Sequence, residues 1–374
     1  MVIIENGVIV LLLMLAVYYM LTALQFYALL SIKKSTILLT DHPFVSVCIA
    51  ARNEEDNIER CLLAFLQQDY PLDKIQLLVG DDDSSDETAR VVLKFQSEYP
   101  ELQLSLISIK HTLEGLKGKT NVLAQLFQRA KGEWCFITDA DISVSNTWIT
   151  GMLTVAKEES AEAVSGSTFV ESNTVFGRFQ GLEWMEAFGL LHTADYYKIP
   201  VTAVGNNMVV KKSAYDAVGG YENIPFSVTE DLALYLALQK KGLKHKQVLN
   251  SQVIAWTQPI TSFMTFLKQR KRWLKGVEKT PFISKLYMMI HALVGAFSLG
   301  VYIYNAYWGL YLILLSLAVH VLRIGIISMK TNIKFRAHWL FYILLIDWYQ
   351  LFCSICILIY YLLPVKVEWK KRLY

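Results

Sequence analysis

Charge is scarce in this chain. Of its 374 residues only 18% are Asp, Glu, Lys or Arg and 54% are hydrophobic, against about 25% and about 45–50% in a typical soluble domain. Part of the protein is therefore expected to live in lipid. An excess of one sign is also missing: 36 Lys and Arg against 33 Asp and Glu leave a net +3, which argues against the strongly basic footprint of a nucleic-acid binder. Cysteine is limited to Cys48, Cys61, Cys135, Cys353 and Cys356. This odd, scattered set lacks paired zinc-type spacing, so neither a disulfide framework nor a structural metal is indicated, and a reduced, cytosol-facing compartment fits. The one CxxC, Cys353 to Cys356, lies in an apolar run, where thiols act as small hydrophobes. The features of a cleavable signal peptide are absent, because the first apolar run has no basic segment ahead of it, is too long, and is followed by no A-x-A site.

Long apolar runs are present instead. Gly7 to Ile32 carries no charge and exceeds the roughly 20 residues that cross a bilayer core. Glu5 precedes it and Lys33 and Lys34 follow, which predicts an extracytoplasmic amino terminus and a cytoplasmic continuation. Further runs lie near Leu286 to Tyr304, Ala306 to Ser328 and Trp339 to Leu363. The expected division is a transmembrane helix at 7–32, a cytoplasmic domain at 35–285, a membrane region of two or three helices at 286–364, and a basic tail at 365–374 of an integral protein of the plasma (inner) membrane. Charge disputes the topology of the later helices. Three crossings put Lys366, Lys370, Lys371 and Arg372 outside, whereas two crossings with Leu286 to Tyr304 lying on the surface put Arg323, Lys330, Lys334 and Arg336 there. His320 and Asp347 fall inside these runs, where ionisable groups are costly and are either functional or bonded from helix to helix.

The central stretch alternates strands and helices. Phe44 to Ala50 reads as a strand, with Asn53 placed to cap a helix from about Glu54. Ile75 to Gly80 is a second strand, then the Asp81-Asp82-Asp83-Ser84 turn, with Ser84 and Glu87 at capping-box spacing. Leu102 to Ile109 is a third strand, Thr120 to Arg129 a helix, and Trp134 to Thr138 a fourth strand ending at Asp139-Ala140-Asp141. This alternation predicts an α/β fold with a mostly parallel sheet, which binds ligands at the carboxyl ends of its strands.

Chemistry is expected at those ends. Asp139 and Asp141 offer two carboxylates at alternate positions after a strand, a donor set for Mg²⁺ or Mn²⁺ that also holds substrate phosphates, although Asp-x-Asp is also ordinary turn chemistry. Lys119 precedes a helix, at a place where a cation can meet a diphosphate near the amino-terminal dipole, although on its own a solvated lysine is the plainer reading. Thr229-Glu230-Asp231 opens another. Ser227 and Glu230 have capping-box spacing, and acids suit a first turn; the functional alternative makes Asp231 a general base. In Gln269-Arg270-Lys271-Arg272-Trp273 the basic residues suit anionic lipid, while Arg272 suits a leaving diphosphate and Trp273, like Trp256, a sugar face.

Taken in order, Val47-Cys48-Ile49-Ala50-Ala51-Arg52-Asn53-Glu54-Glu55, Asp81-Asp82-Asp83-Ser84-Ser85-Asp86-Glu87-Thr88, Asp139-Ala140-Asp141, Thr229-Glu230-Asp231 and Gln269-Arg270-Lys271-Arg272-Trp273 resemble the family 2 glycosyltransferases. The similarity covers about Val45 to Gly276 and extends to the membrane-embedded branch with ceramide glucosyltransferases and cellulose, chitin, hyaluronan and poly-N-acetylglucosamine synthases. It implies a GT-A nucleotide-sugar-binding domain, a divalent cation (Mg²⁺ or Mn²⁺), and inverting transfer from a nucleotide sugar, UDP by resemblance, to a lipid or a growing glycan. By the same resemblance Arg52, Glu54, Asp81 and Asp82 hold the nucleoside, Lys119 faces the diphosphate, and Asp139 and Asp141 bind the metal. Asp231, with Glu230 beside it, is the base, and Gln269, Arg272 and Trp273 close the site. One departure is Asp83, where the family often has Gly. The small number of membrane helices favours single transfer to a lipid; the Thr-Glu-Asp and Gln-Arg-x-Arg-Trp spellings look like those of polymer synthases. A catalytically silent nucleotide-binding subunit and a transporter are the alternatives of other classes.

Overall fold

The computed structural model describes residues 2–33, 39–278, 280–366, 368–369 and 372–373; Lys34, Lys370 and Lys371, which enter the topology argument, lie outside them. The chain forms two compact units, each built from separated stretches. The first is Met1–Ile32, Ser172–Val201 and Pro259–Lys366; the second is Lys33–Glu171, Thr202–Gln258 and Val367–Tyr374. This division differs from the continuous 35–285 domain that composition suggests.

In the second unit, strands β1 (Val45–Ala51), β2 (Ile75–Asp81), β3 (Gln103–Ser108) and β4 (Trp134–Asp139) alternate with helices α2 (Ile58–Leu66), α3 (Thr88–Glu98) and α4 (Gly118–Arg129). After β5 (Ser143–Val144) come α5 (Trp148–Glu159), β6 (Ala163–Ser165) and β7 (Ser167–Val170). The unit resumes with β8 (Asn207–Lys211), α7 (Lys212–Ala217), α8 (Gly220–Asn223), α9 (Glu230–Lys240), β9 (His245–Gln247) and β10 (Ile254–Thr257), and includes a short antiparallel pair, β11 (Glu368–Trp369) with β12 (Arg372–Leu373); the intervening α6 (Val175–Tyr196) belongs to the first unit. The main sheet has seven strands in the order β3-β2-β1-β4-β8-β6-β9. Strands β1 to β4 pair in parallel, and β8 joins antiparallel to both β4 and β6. The sheet is thus mixed, parallel at its first four strands as expected. Both faces are covered. Val45, Val47 and Ile49 pack with Phe65, Phe95 and Trp148 on one side, while Cys48, Leu78 and Ile137 pack with Val122, Phe127 and Leu234 on the other. This two-sided burial explains why the strands read as continuous apolar runs.

The helix starts differ from the cap readings. Asn53 has φ 52 and accepts a hydrogen bond from the Ser85 amide at 2.8 Å, so α2 begins only at Ile58. Ser84 receives the Asn53 amide at 3.0 Å instead of capping α3. Asp86 accepts from the Thr88 amide at 3.1 Å at that helix end.

The first unit contains α1 (Val2–Leu30), α6 (Val175–Tyr196), α10 (Phe263–Val277), α11 (Phe282–Tyr304), α12 (Ala306–Thr331) and α13 (Trp339–Leu362). Among the described residues three helices are long and apolar enough to cross a membrane: the Leu13–Leu30 part of α1, α12 and α13. A buried polar network joins α6, α12 and α13. His320 bonds Asp347 Oδ1 at 2.9 Å through Nε2 and bonds Glu186 through Nδ1; Ser316 donates to Asp347 at 2.6 Å, and Gln350 and Arg323 donate to Glu186 at 2.9 and 3.2 Å. The ionisable groups noted in the apolar runs are therefore bonded from helix to helix. Cys353 is buried against Phe266, Leu267 and Tyr360, as a small hydrophobe would be.

Candidate active site

The register of β1 assembles the site. Ala51 pairs with Asp81 and Ala50 with Asp139, so the carboxyl ends of β2 and β4 flank the end of β1. The loop after β1 is tied to the loop after β2: Arg52 donates to the carbonyls of Asp82 and Asp83, and the Glu54 amide donates to Thr88 Oγ1 at 2.8 Å. Glu54, Asp81 and Asp82 are buried there. Asp83 adopts φ 56, a left-handed conformation that favours Gly and that Asp tolerates better than most residues. The departure at this position thus keeps the turn that a glycine would make.

Lys119, at the start of α4, is the hub. Its Nζ bridges Asp139 Oδ1 at 2.6 Å and Glu230 Oε1 at 2.7 Å, with only 11% of its side chain exposed. Burial alone would lower its pKa, yet the attraction of Asp139 and then Glu230 lifts it above the ordinary lysine range. Glu230 is nearly buried and spends its carboxylate on Lys119, so the capping-box reading of Ser227 with Glu230 gives way; Ser227 instead accepts from the Thr229 amide at 3.3 Å. Asp231 follows. Its Oδ2 accepts from the Gly205 amide at 2.9 Å and its Oδ1 from the Leu232 amide at 2.8 Å. Burial, reinforced by the charge of Glu230, raises its pKa to about 6, against the pull of Lys119 and the two amides. A carboxylate so tuned can take a proton near neutral pH.

Asp141 is half-buried after β4, and its backbone carbonyl accepts from Arg60. Among the described residues no three His, Cys, Asp or Glu side chains gather as a metal shell. Asp139 and Asp141 still fit an ion that is held by one or two carboxylates together with substrate phosphates.

Gln269, Arg272 and Trp273 lie on α10, in the first unit. Around them the charge in the motif is largely structural: Arg270 donates to Glu183 at 2.7 Å and stacks 4.3 Å from the Trp273 ring, and Lys271 donates to the carbonyls of Tyr360 and Leu363 at 3.1 and 2.8 Å. Sequence reasoning did not single out Arg270 and Lys271, because a basic run carries no sign of which cation is buried. It also missed Gly205, whose amide anchors Asp231; a lone Gly between a loop and β8 gives no signal. Trp256 sits on β10 with its ring 5.9 Å from Phe169. His245 bonds Ser165 at 2.9 Å, and His192 lies 3.3 Å from the Ala28 carbonyl, so both have ordinary structural contacts.

With this geometry in place, the comparisons agree with the resemblance. The model of glycosyl transferase family 21 matches residues 8–374. The chain belongs to that family, and it is a family 2-type glycosyltransferase of GT-A architecture. It is 26% identical over 251 residues to the beta-monoglucosyldiacylglycerol synthase of Synechocystis, covering 63% of this chain and 48% of that one. It is 24% identical over 269 residues to the poly-beta-1,6-N-acetyl-D-glucosamine synthase of Staphylococcus aureus, covering 70% and 62%. The chain spans about half the length of the first curated relatives it matches. Among solved structures, the mannosyltransferase PcManGT from Pyrobaculum calidifontis, in complex with GDP-Man and Mn²⁺, shares the fold with a TM-score of 0.58 at 17% identity over 94% of this chain and 98% of that one.

Proposed function

We propose that this protein transfers a hexose or N-acetylhexosamine from a nucleotide sugar, UDP-linked, to a membrane lipid at the cytoplasmic face, with inversion in one displacement. The cluster of Lys119, Asp139, Glu230 and Asp231 at the carboxyl ends of the parallel strands carries the reading. Arg52, Glu54, Asp81 and Asp82 surround the nucleoside, and Lys119 turns its ammonium from the two carboxylates to the diphosphate. Asp231 removes the acceptor hydroxyl's proton as the sugar carbon is attacked. Asp139 and Asp141 would hold Mg²⁺ or Mn²⁺, which supplies positive charge for the leaving nucleotide. The synthase that glucosylates a diacylglycerol supports a lipid acceptor; the poly-N-acetylglucosamine synthase supports the alternative, a processive polymerase.

Purified protein offered labelled nucleotide sugars, Mg²⁺ or Mn²⁺ and native lipid extract is expected to yield one labelled lipid. A ladder of products selects the processive reading, and donor binding without transfer refutes both. The Gly205 amide gives a finer check. A Cβ at Gly205 would stand 2.6 Å from Asp231 Cβ, so Gly205→Ala is expected to displace the carboxylate and cut kcat about 10- to 100-fold while the donor Kd, measured by calorimetry, stays within about twofold.

A further inference from the structure

The first unit also resolves the conflict of charges. Its own contacts gather several helix ends together. Lys330, at the end of α12, donates to the carbonyls of Leu30 and Ile32 at 3.0 and 2.7 Å, so α12 ends where α1 ends. The end of α6 lies there too, with Tyr197 donating to the Leu24 carbonyl at 3.1 Å. Ser284 in the first turn of α11 donates to the Pro200 carbonyl, just beyond α6, at 2.5 Å, so α11 begins at this same end. The opposite ends of α11 and α12 meet at Asn305, which caps α12 through the amides of Tyr307 and Trp308 at 3.1 and 3.2 Å. The turn is tight: a Cβ at Gly309 would stand 2.1 Å from the Cα of Tyr302. Past it, Val301 and Leu312 bury against Leu15 and Tyr18 of α1. Helices α11 and α12 are thus a hairpin running alongside α1.

Both ends of α13 belong to the other end of this bundle. Only Asn332 to His338 separate α12 from α13, and seven residues span at most about 25 Å, short of a hydrocarbon core of about 30 Å. At its far end Tyr360 and Leu363 accept from Lys271, and Tyr361 bonds Glu278, four residues before α11 begins. A continuous helix of 24 residues, about 36 Å long, with both ends at one face cannot cross.

We propose that α1, α11 and α12 cross the bilayer and that α13, apolar enough to span, lies along the interface on the side where α1 ends, with its exposed face in the headgroup–acyl boundary. That face carries Phe341, Leu344, Trp348, Phe352, Ile355 and Leu362, each at least 45% exposed, while Tyr342, Ile343, Ile346 and Cys353 are buried. Charge agrees. Lys33, Lys334, Arg336 and Lys366 all fall on one side, and no Asp, Glu, Lys or Arg lies between Lys285 and Arg323, as the positive-inside rule requires. Tyr302, Tyr304, Tyr307, Trp308 and Tyr311 cluster about the opposite turn, where aromatic residues mark a membrane boundary.

The test is labelling of single-cysteine additions in intact cells by a membrane-impermeant maleimide, scored above the parent chain. Tyr307→Cys, at a position 89% exposed, should label from outside. Lys334→Cys and Lys366→Cys should label only after permeabilisation. Outside labelling of Lys366→Cys would mean that α13 crosses, and protection of Tyr307→Cys would mean that the hairpin does not; either overturns the proposal. Trypsin on sealed right-side-out vesicles of the unmodified chain needs no variant: cleavage at Lys366 before lysis overturns the proposal, and cleavage only after lysis supports it.

Discussion

Asp231→Asn is expected to bind the donor nearly as well as the parent protein and to transfer sugar about 10²–10⁴-fold more slowly, the range a positioned general base supplies. Asparagine keeps the size of the side chain and one acceptor for the Gly205 or Leu232 amide, so the loss falls on kcat and not on the donor Kd. The parent enzyme should show the same group in its pH profile. With the Asp231 pKa raised to about 6 by burial and by Glu230, the base is ionised above that pH and protonated below it. The kcat/KM of the parent should therefore fall tenfold per pH unit well below 6, and the residual rate of Asp231→Asn should lack that limb. Near-native turnover of this variant would remove Asp231 from the chemistry.

Lys119→Met is expected to act on binding and on the base together. It removes the ammonium that Asp139 and Glu230 hold at 2.6 and 2.7 Å and that, on the proposed reading, turns to the donor's diphosphate; truncating one partner of a hydrogen-bonded charge pair across a binding interface costs about 2–5 kcal/mol. Donor affinity should fall by at least about 30-fold, the low end of that range. Lys119 is also among the groups that pull the Asp231 pKa down, so its loss should move the acid limb of kcat/KM above pH 6. Lys119→Arg, which keeps the charge, should leave the limb in place even where geometry lowers the rate. An unchanged donor Kd and limb in Lys119→Met would show that the bridge has no part in function.

The four parallel strands were legible because two-sided burial makes each a short apolar run bounded by turns, and their ends at Asp81 and Asp139 followed. The helix caps were not. Asn53, Ser84 and Ser227 satisfy cap spacing, but each serves a loop: Asn53 takes the Ser85 amide, Ser84 the Asn53 amide, and Ser227 the Thr229 amide. Strands β5 to β10 have two to five residues each and find partners far away in sequence, so local patterning is silent about them. Helix α6 was the largest omission. Arg178, Glu183 and Glu186 make it read as soluble, yet their partners are Tyr342, Arg270 and His320, on helices of the first unit. The cost of those charges is offset by residues 80 or more positions away, which no window along the chain can detect. Asp231 and Lys119 were legible as types, whereas the bridge that tunes one through the other depends on the fold.

The interleaving of the two units also fixes an order of manufacture. Lys119 and Asp139 leave the ribosome before α6, and Glu230 and Asp231 after it. Strand β8, which lies between β4 and β6 in the main sheet, is likewise made late. A nascent chain that has not yet delivered α6 holds only half of the cluster of Lys119, Asp139, Glu230 and Asp231 and an unfinished sheet, so that cluster can close only after translation has passed the second stretch committed to the first unit.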